Sequence, residues 1–125
     1  MTRTSDVLAR IEIYRQAARE REAGRNEALA ARRADASSQA RAAAKVLKRD
    51  FGATRVWLFG SLADSGVFHD RSDIDLAVEG IPTNDFWRAW AALDRLGAGL
   101  EIDLVDLRFA SASLAAEIRE HGVEL

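Results

Sequence analysis

The 125-residue sequence predicts an α+β fold in which helices flank a small mixed sheet and a helical extension precedes it. Three observations support this. Residues 4 to about 51 contain no proline and a single glycine, Gly24, in a background of Ala, Arg, Glu and Lys, which are strong helix formers. Three short runs near residues 54–59, 73–79 and 101–107 carry the β-branched, aromatic and aliphatic residues of strands. Segments with helical spacing follow the second and third runs, the alternation of an α+β domain.

In the N-terminal segment, Val7, Ile11, Tyr14 and Ala18 make one apolar stripe, and Ala40, Ala43, Leu47 and Phe51 make a second. Asp35, Ser37 and Ser38 have the chemistry of an N-cap, so two helices are expected over residues 1–50, with a break between Ala34 and Ser38 and Gly24 as the second candidate. Residues 51–125 form the second expected unit. Gly52 ends the helical run, and Thr54–Phe59 reads as a buried strand. A loop rich in Gly, Ser and Asp spans residues 60–72, after which Asp73–Glu79 alternates polar and apolar residues until Gly80 and Pro82. Thr83, Asn84 or Asp85 can cap a helix whose apolar face is Trp87, Trp90, Ala91, Leu93 and Leu96. Glu101–Leu107 is the third strand, and a last helix runs from about Ser111 to His121. The tryptophans Trp57, Trp87 and Trp90 read as core, and Ser111 and Ser113 as helix caps.

Composition narrows the function classes. Hydrophobic residues are 48% of the chain and charged residues 30%, which argues against disorder of the whole. No apolar run approaches the roughly 20 residues of a membrane helix, and the N-terminus lacks a basic-then-apolar leader, so a cytoplasmic location and no membrane partner are expected. There is no cysteine, so any metal has to be held by oxygen or imidazole, which favours a hard cation such as Mg²⁺. Residues 1–50 carry 12 Lys and Arg against 7 Asp and Glu, whereas residues 51–125 carry 6 against 13. The basic half interleaves its arginines with glutamates and has no aromatic platform, so nucleic acid is not the expected partner. A homo-oligomer through the N-terminal helices stays open.

The chemistry is concentrated in Phe59-Gly60-Ser61, Arg71-Ser72-Asp73-Ile74-Asp75-Leu76 and Ile102-Asp103-Leu104. A glycine after a buried strand lets the backbone approach a phosphate without a Cβ in the way, and Ser61 can add its N–H and its hydroxyl. Taken alone, such a pair reads as a turn. Asp73 and Asp75 lie two apart on a strand and so share a face, opposite Ile74, Leu76 and Val78. In the third strand Asp103 alternates with Ile102 and Leu104 in the same way. Carboxylates gathered on one face repel unless a cation lies between them, and three of them could hold two Mg²⁺ ions.

Val56 to about Val105 resembles the nucleotidyltransferase fold of the DNA polymerase β superfamily. Phe59-Gly60-Ser61 followed about a dozen residues later by Ser72-Asp73-Ile74-Asp75-Leu76 is similar to the minimal nucleotidyltransferases. The resemblance implies that Gly60 and Ser61 contact a nucleoside triphosphate, with Ser72 and Arg71 beside them. It implies that Asp73 and Asp75 bind both metals, and that Asp103 completes the site and helps activate an acceptor hydroxyl. ATP is the implied substrate. Several minimal nucleotidyltransferases resemble antitoxins that transfer AMP to a tyrosine of an all-α HEPN toxin, which implies a HEPN-type partner and a type VII-like toxin–antitoxin pair. A protein partner is expected to supply the other wall of so small a site. In one place the loop departs from the family: Leu62-Ala63-Asp64-Ser65-Gly66 carries an acid where an arginine is common. Arg71 is the candidate replacement, and an antitoxin that acts by binding alone is the alternative reading.

Overall fold

The computed structural model describes residues 2–63, 74–96 and 101–125. The elements are α1 (Thr2–Phe51), β1 (Arg55–Phe59), a 3₁₀ turn (Gly60–Leu62), β2 (Ile74–Glu79), a second 3₁₀ turn (Thr83–Asp85), α2 (Phe86–Asp94), β3 (Ile102–Asp106), α3 (Ala112–His121) and β4 (Val123–Glu124). The chain divides into two compact units, residues 1–32 and 33–125. No helix among the described residues is long and apolar enough to cross a membrane.

The expected break between Ala34 and Ser38 is absent, because α1 is continuous through it. Serine in a helix interior costs only a few tenths of a kcal/mol, roughly 0.5 relative to alanine. Burial outweighs that cost: Ala36, Ala40, Ala43 and Leu47 are fully buried against the sheet unit, so the backbone around Ser37 and Ser38 has to stay helical. The helix stops at Gly52, whose φ of +75° is a left-handed cap, and the Ala53 N–H closes the end of the helix on the Leu47 carbonyl at 3.0 Å.

In the first unit the helix exposes Val7, Leu8, Ile13 and Tyr14. Its visible side-chain support is polar, with Arg19 donating to Glu12 and Gln16, each at 3.0 Å, and Gln16 to Glu20 at 3.2 Å.

The second unit is built on a four-stranded sheet of order β3-β2-β1-β4. β1 is antiparallel to β2 and to β4, whereas β2 and β3 are parallel across the α2 connection. The sheet is therefore mixed, as expected. Val56, Leu58, Ile74, Leu76, Val78, Ile102 and Leu104 face one side and pack with the end of α1 and with Ala89 and Leu93 of α2. Trp57 and Ala77 face the other side and pack with Ala115 and Ile118 of α3. Strand alternation thus builds two cores from one sheet.

Ser111 caps α3 by accepting the Leu114 N–H at 3.2 Å. Asp85 occupies the cap position of α2, yet makes no side-chain cap bond, because its carboxylate accepts instead from Arg88. Trp57 is buried, but Trp87 is 71% exposed and stacks on Trp90 with ring centroids 5.4 Å apart. The nine-residue α2 packs through Ala89 and Leu93, and the position of Trp87 falls outside that stripe.

Candidate active site

The sheet register brings the site residues together. At the end of β1, Phe59 pairs with Asp75, and Asp75 in turn pairs with Asp103 on the parallel neighbour. Adjacent strands lie about 4.8 Å apart, and residues paired across strands share a face, so the carboxylates of Asp75 and Asp103 emerge side by side. This is the face that α3 covers farther along the strands, where Trp57 and Ala77 lie. At the end near Phe59, Asp75 is half-buried and Asp103 exposed.

Gly60 is held against this row. Its φ is +74°, and a Cβ built on it would lie 2.3 Å from Oδ2 of Asp75. Both the conformation and the space require glycine, so the turn approaches the carboxylate through bare backbone. Ser61 follows on the 3₁₀ turn, which the Ala63 N–H closes on the Gly60 carbonyl at 3.1 Å. Phe59, Gly60, Ser61 and Ala63 line one side of a cleft of about 620 Å³, with Glu117, His121 and Gly122 on the other. His121 is at the helix end that the sequence predicts, and Glu117 is a wall residue that no motif marks; their i, i+4 spacing, which puts both on one helix face, is the signal the sequence carries.

Asp73, Ser72 and Arg71 lie outside the described residues, as does Asp64. Among the described residues no group of three His, Cys, Asp or Glu side chains is close enough to hold a metal. The two described carboxylates, paired in register, are an oxygen-only donor set that fits a hard divalent cation such as Mg²⁺.

A second cavity, of about 480 Å³, lies between α2, β3 and the start of α3, where Phe86, Trp87, Val105, Phe109 and Leu114 give it an apolar lining. Nearby, Asp106 is buried with its carboxylate accepting the Arg108 N–H at 3.0 Å and Nη2 at 2.7 Å. Burial pushes this carboxyl up, but the hydrogen bonds and charge of Arg108 outweigh it and hold the group below the usual carboxylate range. Arg108 also donates to the Ile81 carbonyl at 2.7 Å, so the pair ties the end of β3 to the loop after β2.

Residues 42–125, which contain the whole row and the turn, match the family described as Polymerase beta, Nucleotidyltransferase. The chain belongs to this family. The nucleotidyltransferase fold is thus established for the sheet unit, with the strand order and crossover described above. The protein adenylyltransferase MntA of Shewanella oneidensis is 39% identical to this chain over 72 residues, which are 56% of this chain and 51% of MntA. The chain spans about half the length of that curated relative. A chain of a toxin–antitoxin crystallised with AMP-PNP superposes with a TM-score of 0.53 at 31% identity, covering 66% of this chain and 68% of that one. A chain of the MntA–HepT toxin–antitoxin superposes with a TM-score of 0.52 at 25% identity, covering 70% and 69%. Proteins similar to this chain therefore include an adenylyltransferase and chains of toxin–antitoxin structures.

Proposed function

We propose that this protein is a nucleotidyltransferase that transfers AMP from ATP to a hydroxyl of a partner protein, a tyrosine of a HEPN-type toxin, and so acts as the antitoxin of the pair. The observation that carries the reading is the row of Gly60, Asp75 and Asp103 set by the strand register. The similarity to MntA and to the toxin–antitoxin chains supports the choice of donor and acceptor.

Gly60 and Ser61 would bind the triphosphate through backbone and hydroxyl, with Ser72 and Arg71 beside it. Two Mg²⁺ ions held by Asp73, Asp75 and Asp103 would neutralise the triphosphate and make the acceptor hydroxyl more acidic. Asp103, more exposed than Asp75, would orient that hydroxyl and take its proton. The hydroxyl oxygen then attacks the α-phosphorus in line, the bond from that phosphorus to the bridging oxygen breaks, and pyrophosphate leaves. The setting proposed for the pair is the cytoplasm.

A second reading rests on Asp64, which stands in the Gly-Ser loop where an arginine is common: the fold could neutralise its partner by contact alone. Incubating the protein with α-labelled ATP, Mg²⁺ and the HEPN-type toxin separates the two. Label on the toxin with the wild type, lost with Asp73→Asn plus Asp75→Asn, is the expected result. An unlabelled toxin that both proteins neutralise equally would leave only the contact reading.

A further inference from the structure

The family match begins at residue 42 and leaves Arg33 outside it. Arg33 nevertheless reaches the turn that carries Gly60 and Ser61: its Nη2 donates to the Leu62 carbonyl at 3.0 Å in partly buried surroundings. The packing of α1 explains how. Ala36, Ala40, Ala43 and Ala44 are buried, and such small side chains let the helix backbone come close to the sheet unit. Leu62 is buried in the same cluster. Arg33 lies three residues before Ala36, on the same helix face, so the stripe that docks the helix also directs Arg33 at the turn.

Leu62 is the last residue of the 3₁₀ turn, and its carbonyl accepts from the Arg33 guanidinium. Residues 60–70 contain no Lys or Arg, so a cationic donor for this carbonyl has to come from elsewhere in the chain. A guanidinium is permanently charged and offers five donors in a rigid fork, which makes its bond to a carbonyl stronger than a neutral one.

We propose that Arg33 is a positioning residue for nucleotide binding: by holding the Leu62 carbonyl it fixes the Gly60–Leu62 turn, and with it the presentation of Ser61 to the triphosphate. The ligand in this statement rests on the nucleotidyltransferase reading, whereas the hold on the turn does not. The helix preceding the family domain thereby becomes a working part of the site.

The test uses the full chain with Arg33→Gln and Arg33→Lys. Amide hydrogen exchange of the ligand-free protein reads the turn, and titration with AMP-PNP and Mg²⁺ reads binding. In Arg33→Gln, exchange at Ala63, whose N–H closes the turn, is expected to speed up about tenfold while the Leu58 and Leu76 amides keep their wild-type rates. Affinity for AMP-PNP is expected to fall about tenfold. Arg33→Lys, which keeps a charged donor, is expected to restore roughly half or more of both effects. Unchanged exchange at Ala63 in Arg33→Gln, or an equal acceleration at Leu58 and Leu76, would overturn the positioning role. A wild type that does not bind AMP-PNP would instead overturn the nucleotide reading, with Ala63 exchange still deciding whether Arg33 holds the turn.

Discussion

Residues 2–32 and residues 33–51 belong to one helix and draw on the same residue types, yet they meet different surroundings. The later stretch buries Ala36, Ala40, Ala43, Ala44 and Leu47 in a shared core. The earlier one exposes Val7, Leu8, Ile13 and Tyr14 and, among the described residues, its side-chain bonds run along its own surface. Such pairs contribute about 0.2–0.5 kcal/mol each, against about 1.5–3 kcal/mol for a buried leucine. Helix propensity therefore sets the conformation of both stretches, but packing makes only the second one part of the domain that carries the site.

The largest effect should come from the carboxylate row. Asp75→Asn is expected to lower AMP transfer by on the order of a hundredfold to a thousandfold, while the melting temperature stays near that of the wild type. Paired transfer assays and thermal melts check it, and a large loss of stability would mean that Asp75 belongs to the fold first and the site second. Next, urea unfolding should show Leu47→Ala to be about 2–5 kcal/mol less stable, whereas Leu8→Ala stays within about 0.5 kcal/mol. Comparable losses at the two positions would erase the contrast between the stretches.

Gly60→Ala should be intermediate, at roughly 1–3 kcal/mol, because the new methyl meets the Asp75 carboxylate at a positive φ. Binding of AMP-PNP measured alongside unfolding would show whether that strain also reaches the nucleotide. A smaller, pH-dependent effect belongs to Asp106. Its folded-state pKa lies below the unfolded value, so its contribution is complete above the ordinary carboxylate pKa of about 3.9 and is lost as the pH falls through the lower folded value. Melting curves should converge for wild type and Asp106→Asn as acid is added, and a gap that widens below about pH 4 would contradict the assignment. Smallest of all, removal of residues 2–32 is expected to shift the melting temperature by no more than about 2 °C. The elution volume of the same truncated protein would show whether the exposed stripe pairs copies of the chain.

Much of this is legible in the sequence. Freedom from proline and richness in alanine and arginine mark α1, and period-two alternation around Ile74, Leu76 and Val78 marks β2 and the face of Asp75. Ser111 is a cap by its local chemistry and behaves as one. The failures share a cause, since each concerns a contact distant in sequence. Ser37 and Ser38 carry a local signal for a helix start, but the buried alanines around them override it. Trp87 looks like core by composition, yet a helix of nine residues has only a narrow stripe to bury. β4 is two residues long, too short to show a period, and exists because Leu58 offers Val123 a free strand edge.

Along each strand the residues themselves dictate which side chains share a face, because the alternation of Cβ atoms is a property of the backbone. Which strands lie next to one another is a different matter, since that choice depends on burying both faces of the sheet at once. The packing of α1, α2 and α3 sets β2 beside β3 in the register that pairs Asp75 with Asp103, and it brings Gly60 against Asp75 and Arg33 against Leu62. Local propensity could supply the carboxylates and the glycine, but only burial over long sequence separations could assemble them into a site.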